Sequence, residues 1–193
     1  MPTLLGVQVA KARRAQIGGR AVLTAIFKNA VSGPVPVTPL GLTGDEQGDL
    51  SVHGGLDKAV YAYPCEHYPF WADARARTGH AEIDDALLFG SMGENLTLEG
   101  LVETDVWIGD VLQFAHCRLR VTGPRDPCYK FSAAMGYSAA ARTMTQTGFC
   151  GWYLAVDEPG TISAGESFEV VPGPRILGIP EAFTAMMFKP MSD

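Results

Sequence analysis

Glycine and proline interrupt this chain so often that few segments leave room for a long helix. There are 22 glycines and 13 prolines in 193 residues, and between them lie short apolar runs of β type. "LLGVQVA" (4–10) reads as a first strand, and "RAVLTAIFKNAV" (20–31) as a second. "GPVPVTPLGLTGDEQGD" (33–49) reads as a strand edge followed by a long loop. "KAVYAYP" (58–64) alternates and stops at Pro64. "DVWIGDVLQFA" (105–115) carries a Gly-Asp pair between two β-type runs, which predicts a hairpin. "CRLRVTG" (117–123) and "ESFEVVPGP" (166–174) are further strands.

Helices are fewer. "PCEHYPFWADARARTG" (64–79) fits one, with Pro64 at its start, Gly79 past its end and Pro69 in the first turn or at a kink. "SAAARTMTQTG" (138–148) has Ser138 as an expected N-cap and Gly148 as a C-cap. "PEAFTAMMF" (180–188) predicts a last short helix. No βαβ alternation is present. The fold class expected is mainly β with inserted α-helices, in a β-barrel-like domain over 1–173. A boundary at "PGPR" (172–175) leaves a tail, 174–193, holding one short helix.

Composition narrows the function classes. The chain is 47% hydrophobic and 19% charged, which supports a real core and argues against wholesale disorder. No run of 18 apolar residues suggests a membrane span. The basic residues of "MPTLLGVQVAKARR" follow the apolar ones, the wrong order for a secretory signal, so the cytoplasm is the expected location. Cys65, Cys117, Cys128 and Cys150 are widely spaced without a C-x-x-C pair, which suggests neither a zinc site nor a disulfide framework. Net charge is −6, yet the first 44 residues hold no Asp or Glu and carry Lys11, Arg13, Arg14, Arg20 and Lys28. An acidic protein with one basic stretch speaks against nucleic acid as a partner. A local cluster suits a small anionic ligand, or is a solvated basic face.

Three loops carry residue types suited to chemistry. In "SVHGGLDKAVYAY" (51–63), His53 precedes Gly54 and Gly55, then Asp57 and Lys58. Paired glycines let a backbone approach a ligand and turn N–H groups toward an anion, or simply make a tight turn. In "FGSMGENLTLEGL" (89–101), Gly90 and Gly93 bend the chain before Glu94 and Asn95, which either face a ligand or brace their own turn. In "GPRDPCYK" (123–130), Pro124 and Pro127 stiffen the approach to Cys128, with Arg125 and Lys130 on either side. Nearby cations favour the thiolate, the form that attacks and that binds soft metals. A structural cysteine in a Pro-rich turn is the alternative.

Together, "LGLTGDEQGDLSVHGGLDKAVYAYPCEHYPFW" (40–71), "GENLTLEGLVETDVWIGDVLQF" (93–114) and "GPRDPCYK" resemble the MOSC family, named for the C-terminal domain of molybdenum-cofactor sulfurase. The octapeptide looks like that family's P-R-x-P-C-x-K loop. The resemblance spans about residues 4–170 and is nearest to the YiiM-like bacterial branch, whose members continue into a longer helical tail. It implies a MOSC-type β-barrel, like that of pyruvate kinase, with added helices. It also implies a molybdenum cofactor, a pterin dithiolene with a terminal phosphate, whose metal is held by Cys128. Some of Lys11, Arg13, Arg14 and Lys58 would then meet the phosphate. His53, Gly54, Gly55, Asp57, Gly93, Glu94, Asn95, Arg125 and Lys130 would line the cofactor or substrate pocket.

The activity implied is reduction of N-hydroxylated small molecules such as hydroxylaminopurines, with His53 and Glu94 as proton donors beside Cys128. The chain shows no flavin, haem or iron–sulfur motif, so an external electron donor of the flavoprotein reductase type is expected as partner. The oligomeric state stays open, with a dimer among the outcomes. A different class of function, a non-catalytic cofactor-binding or sulfur-carrier protein, would use the same cysteine. A small barrel whose three loops are all structural is a third reading.

Overall fold

The computed structural model describes residues 1–48, 54–78 and 87–188. Strand β1 (Thr3–Val9) leads into a hairpin of β2 (Arg13–Ile17) and β3 (Arg20–Thr24). Short strands β4 (Asn29–Ala30), β5 (Val35–Thr38) and β6 (Gly41–Leu42) follow. A 3-10 turn, Leu56–Lys58, precedes β7 (Val60–Pro64), and a second, Cys65–His67, runs into α1 (Tyr68–Ala76). Then come β8 (Leu96–Glu99), β9 (Val111–Gln113), β10 (Arg118–Pro124), α2 (Tyr129–Ala134) and α3 (Ala140–Thr147). The described chain closes with β11 (Trp152–Glu158), β12 (Gly160–Ile162), β13 (Glu169–Val171) and α4 (Ile179–Met187).

Eight strands form the main sheet in the order β13-β9-β10-β11-β7-β8-β1-β4, and β12-β5-β6 form a second. The expected barrel does not close. The stretch before β13 reaches back to β1, with Leu4 N–H donating to Glu166 O at 2.9 Å and Gly165 N–H to Leu4 O at 2.7 Å. Among the described residues no strand ladder joins the two ends of the sheet. β4 pairs with Gln8 and Val9 only, and β13 stops at Pro172, which has no N–H to extend a ladder.

Strand β7 sits mid-sheet, antiparallel to β11 and parallel to β8. All five of its residues are buried, so the expected alternation gives way to a strand covered on both faces. The run 20–31 is not one strand: Ile26 N–H donates to Thr24 Oγ1 at 3.2 Å, and the chain turns before β4. The hairpin expected at Gly109–Asp110 is also absent. The buried Asp110 carboxylate accepts from Trp107 N–H at 3.2 Å and Gly173 N–H at 2.7 Å, and β9 pairs with β10 and β13 instead. Helix α1 keeps Pro69 in its first turn. Gly148 closes α3 as expected, but Ala139 rather than Ser138 stands at its N-terminus, without a side-chain cap.

One core runs through the molecule, with Trp71, Trp152, Tyr63 and Phe131 among its largest fully buried side chains. The tail expected over 174–193 contributes to it: Ile179 and Phe183 of α4 are buried in the same cluster. Two such side chains contribute roughly 3–6 kcal/mol of hydrophobic stabilisation. Among the described residues, no helix is long and apolar enough to cross a membrane.

Candidate functional site

The loop after β10 ends at Cys128, which is extended and stands one residue before α2. Its half-buried side chain lines a solvent-open cleft, about 690 Å³ with its open mouth included. The other walls come from the turn after β3, the loop after β6, the 3-10 turn before β7, and the loop before β8.

Arg125 is the buried cation of this wall. Its guanidinium lies over the rings of Tyr61 and Phe131, 4.8 and 4.9 Å from their centres. It donates to the Tyr61 hydroxyl at 3.3 Å and to the Met92 carbonyl. Burial alone would weaken its hold on the proton, but Tyr61, Tyr153 and Cys128 outweigh burial and raise its pKa. Arg125 is therefore a permanent charge within electrostatic reach of the Cys128 sulfur. Lys130 and Lys58 also line the cleft, and the Lys58 ammonium lies 5.5 Å from the centre of the Tyr153 ring.

Of the basic residues in the first 44, only Lys28 lines the cleft. Lys11 is exposed and pairs with Glu46 at 3.1 Å; Arg13 lies over Phe27, and Arg14 is exposed. Arg13 and Arg14 stand on β2, paired with Thr24 and Leu23 of β3; of the four residues expected at the phosphate, Lys58 lines the cleft and Lys11, Arg13 and Arg14 do not.

Of the two readings of the Gly-Gly loop, Gly55 follows the structural one. Gly55 N–H donates to Gln47 Oε1 at 3.1 Å, rather than standing ready for an anion. Gly54 lines the cleft, and the chain there passes so close to Gln47 that a β-carbon would sit 1.9 Å from Oε1. Asp57 is exposed and outside the lining, with its carbonyl accepting from Thr122 Oγ1 at 2.5 Å. His53 lies outside the described residues.

Gly93 and Asn95 line the cleft, whereas Glu94 does not. Glu94 is fully buried and accepts from the Tyr68 hydroxyl, Gly90 N–H (2.6 Å), Thr97 Oγ1 (2.8 Å) and Met92 N–H (3.1 Å). Four converging donors make it the brace of its loop, and the proton-donor role expected of it does not fit that position. Burial raises its pKa, against the pull of those donors. Asn95 is equally occupied. Its amide donates to Gln8 O at 3.1 Å and Asp45 Oδ2 at 2.8 Å, and its Oδ1 accepts from Tyr61 N–H at 3.1 Å.

Lining residues that the three loops did not suggest include Lys28, Asp45, Gln47, Tyr61 and Tyr153. Asp45 and Gln47 lie within "TGDEQGD", a polar run whose resemblance to the family was the only signal for them.

The MOSC domain model matches residues 49–169. Protein YiiM of Escherichia coli (strain K12) is 39% identical over 170 residues, covering 88% of this chain and 74% of that protein. YflK of Bacillus subtilis (strain 168) is 36% identical over 169 residues, covering 88% and 73%. A Gibberella moniliformis protein named "Reductase" is 31% identical over 172 residues, covering 89% of this chain and 29% of its own length. The crystal structure of YiiM from Geobacillus stearothermophilus superposes with a TM-score of 0.76 at 29% identity, over 96% of this chain and 84% of that one.

Proposed function

The chain belongs to the MOSC domain family, and from that premise we propose that it is a molybdenum-cofactor-dependent reductase of N-hydroxylated compounds. The observation that carries the reading is the Cys128 thiol in one cleft with Lys28, Lys58, Arg125 and Lys130. Among the described residues, no group of three or more His, Cys, Asp or Glu could hold a metal ion. A metal held by a dithiolene cofactor would draw its remaining ligands from that organic group. A soft thiolate suits a metal already held by sulfur, and four lining cations suit an anionic carrier.

When bound, the cofactor would supply the two-electron redox chemistry that cleavage of the N–O bond needs. The chain's own residues do the rest. Cys128, one residue before α2, would hold the metal. Arg125 keeps a fixed positive charge within electrostatic reach of the sulfur, and Gly93 and Asn95 add to the cleft wall. Electrons come from an external donor of the flavoprotein reductase type. The relative named "Reductase" supports the same reaction class.

The test is to load the purified chain with the cofactor, measure molybdenum, and follow reduction of 6-N-hydroxylaminopurine with a chemical reductant. Bound molybdenum with turnover is expected. Bound molybdenum without turnover would overturn the reductase reading and point to a carrier.

A further inference from the structure

Reducing an N–O bond to an amine and water consumes two protons. Glu94 does not line the cleft, and Arg125 holds its proton too firmly to give it up. Lys28, in the turn between β3 and β4, is differently placed. Its side chain is 7% exposed, and its ammonium sits 2.5 Å from Asp45 Oδ1. Asp45 is fixed in turn: Oδ1 also accepts from Ala10 N–H at 2.7 Å, and Oδ2 accepts from Asn95 at 2.8 Å. The ammonium is therefore held by a carboxylate tied to the end of β1 and to the loop before β8.

An ammonium has three N–H donors. Among the described residues, Asp45 is the acceptor for Lys28, which leaves two donors in a side chain more than nine-tenths buried. Both belong to a residue of the cleft wall. A ligand oxygen is the acceptor that geometry calls for.

We propose that Lys28 is the acid of this cleft, donating to the oxygen of a bound N-hydroxy group and protonating it as the N–O bond breaks. The proposal rests on the reductase reading. The oxygen leaves with the bonding pair, takes the Nζ proton and departs as water. The two electrons from the external donor end on nitrogen, which takes its proton from solvent. Lys28 is left as a neutral amine and regains a proton from water in the open cleft.

The surrounding charges suit this role. Burial lowers the Lys28 pKa, and Arg125 works in the same direction. Asp45 and Glu94 oppose them, and the net direction is down. A lysine so lowered gives up its proton more readily near neutral pH. Lys58 and Lys130 also line the cleft.

The test uses the full chain loaded with cofactor. Lys28→Arg keeps the positive charge against Asp45 but does not release its proton. It should keep its urea midpoint and molybdenum content, lose about 100-fold or more in kcat, and change little in KM. The alkaline limb of the wild-type kcat–pH profile should vanish with it. Wild-type turnover in Lys28→Arg overturns the proposal. The pair Lys28→Met and Asp45→Asn removes both charges together, so no carboxylate is stranded, and the same outcomes apply.

A second readout needs no turnover. With lysines labelled at 13Cε and no reductant present, N-hydroxylaminopurine should shift the Lys28 resonance and leave Lys11 unmoved. A Lys28 resonance that ignores the compound overturns the proposal even in an active enzyme. A wild-type protein that shows the shift, holds molybdenum and reduces nothing overturns the reductase reading, and the proton step with it.

Discussion

Glu94→Gln separates a loop brace from a proton donor. Oε1 of Glu94 accepts from the Tyr68 and Thr97 hydroxyls and from Gly90 N–H, and Oε2 accepts from Met92 N–H. Glutamine keeps one acceptor oxygen. Its amide nitrogen, standing where Oε2 stands, sets N–H against the Met92 N–H. One buried donor left unsatisfied costs about 1–3 kcal/mol. Glu94→Ala strands both amides and leaves a cavity, for about 3–5 kcal/mol. Urea unfolding should show both losses as lower midpoints at constant slope. The pH dependence has a definite sign. Burial raises the Glu94 pKa above its ordinary 4.5. Its contribution is then fully present below that value and is lost as pH rises through the folded pKa. The deficit of Glu94→Gln relative to wild type should therefore narrow as pH rises from acid. An unchanged midpoint with turnover lost about 100-fold would refute the brace and return Glu94 to the chemistry.

Three further substitutions test the walls. Gly93→Ala puts a β-carbon at φ +81°, 2.8 Å from Ile26 Cγ1, and should cost about 1–2 kcal/mol of stability, seen as a lower urea midpoint, and reduce cofactor loading. Tyr61→Phe removes the hydroxyl that donates to Cys150 O at 2.8 Å and accepts from Arg125 at 3.3 Å. It should cost about 1–3 kcal/mol in the same assay, because buried partners are left unpaired. Lys11→Ala breaks only an exposed pair with Glu46, so midpoint and molybdenum content should both stay at wild-type values. Lost loading there would show that Lys11 reaches the cofactor.

Contiguous features were readable from the residues. Arg125, Cys128 and Lys130 lie within six residues on a loop stiffened by Pro124 and Pro127, and all three line the cleft. The mainly β character followed from glycine and proline spacing, and Gly148 marked a helix end. Features made by long-range pairing were not readable. The partners Lys28 and Asp45 are 17 residues apart, and Asn95 is 50 beyond Asp45. Proximity in sequence grouped Lys28 with Lys11, Arg13 and Arg14, and only the β2–β3 hairpin separates them in space. A Gly-Glu-Asn triplet names polar groups but not which of them faces inward. Here Glu94 turns to the buried amides and Asn95 to the cleft wall. Strand β11 was missed because "WYLAVDE" follows a cysteine and a glycine without the alternation of a half-buried strand. Its position between β10 and β7 explains why.

The account turns on the sulfur of Cys128. Molybdenum K-edge X-ray absorption on the cofactor-loaded protein counts the sulfur atoms around the metal. Cys128→Ser should show one sulfur fewer than wild type, with loss of hydroxylaminopurine reduction. An identical sulfur shell in the two proteins would contradict the assignment of Cys128 as the metal's ligand.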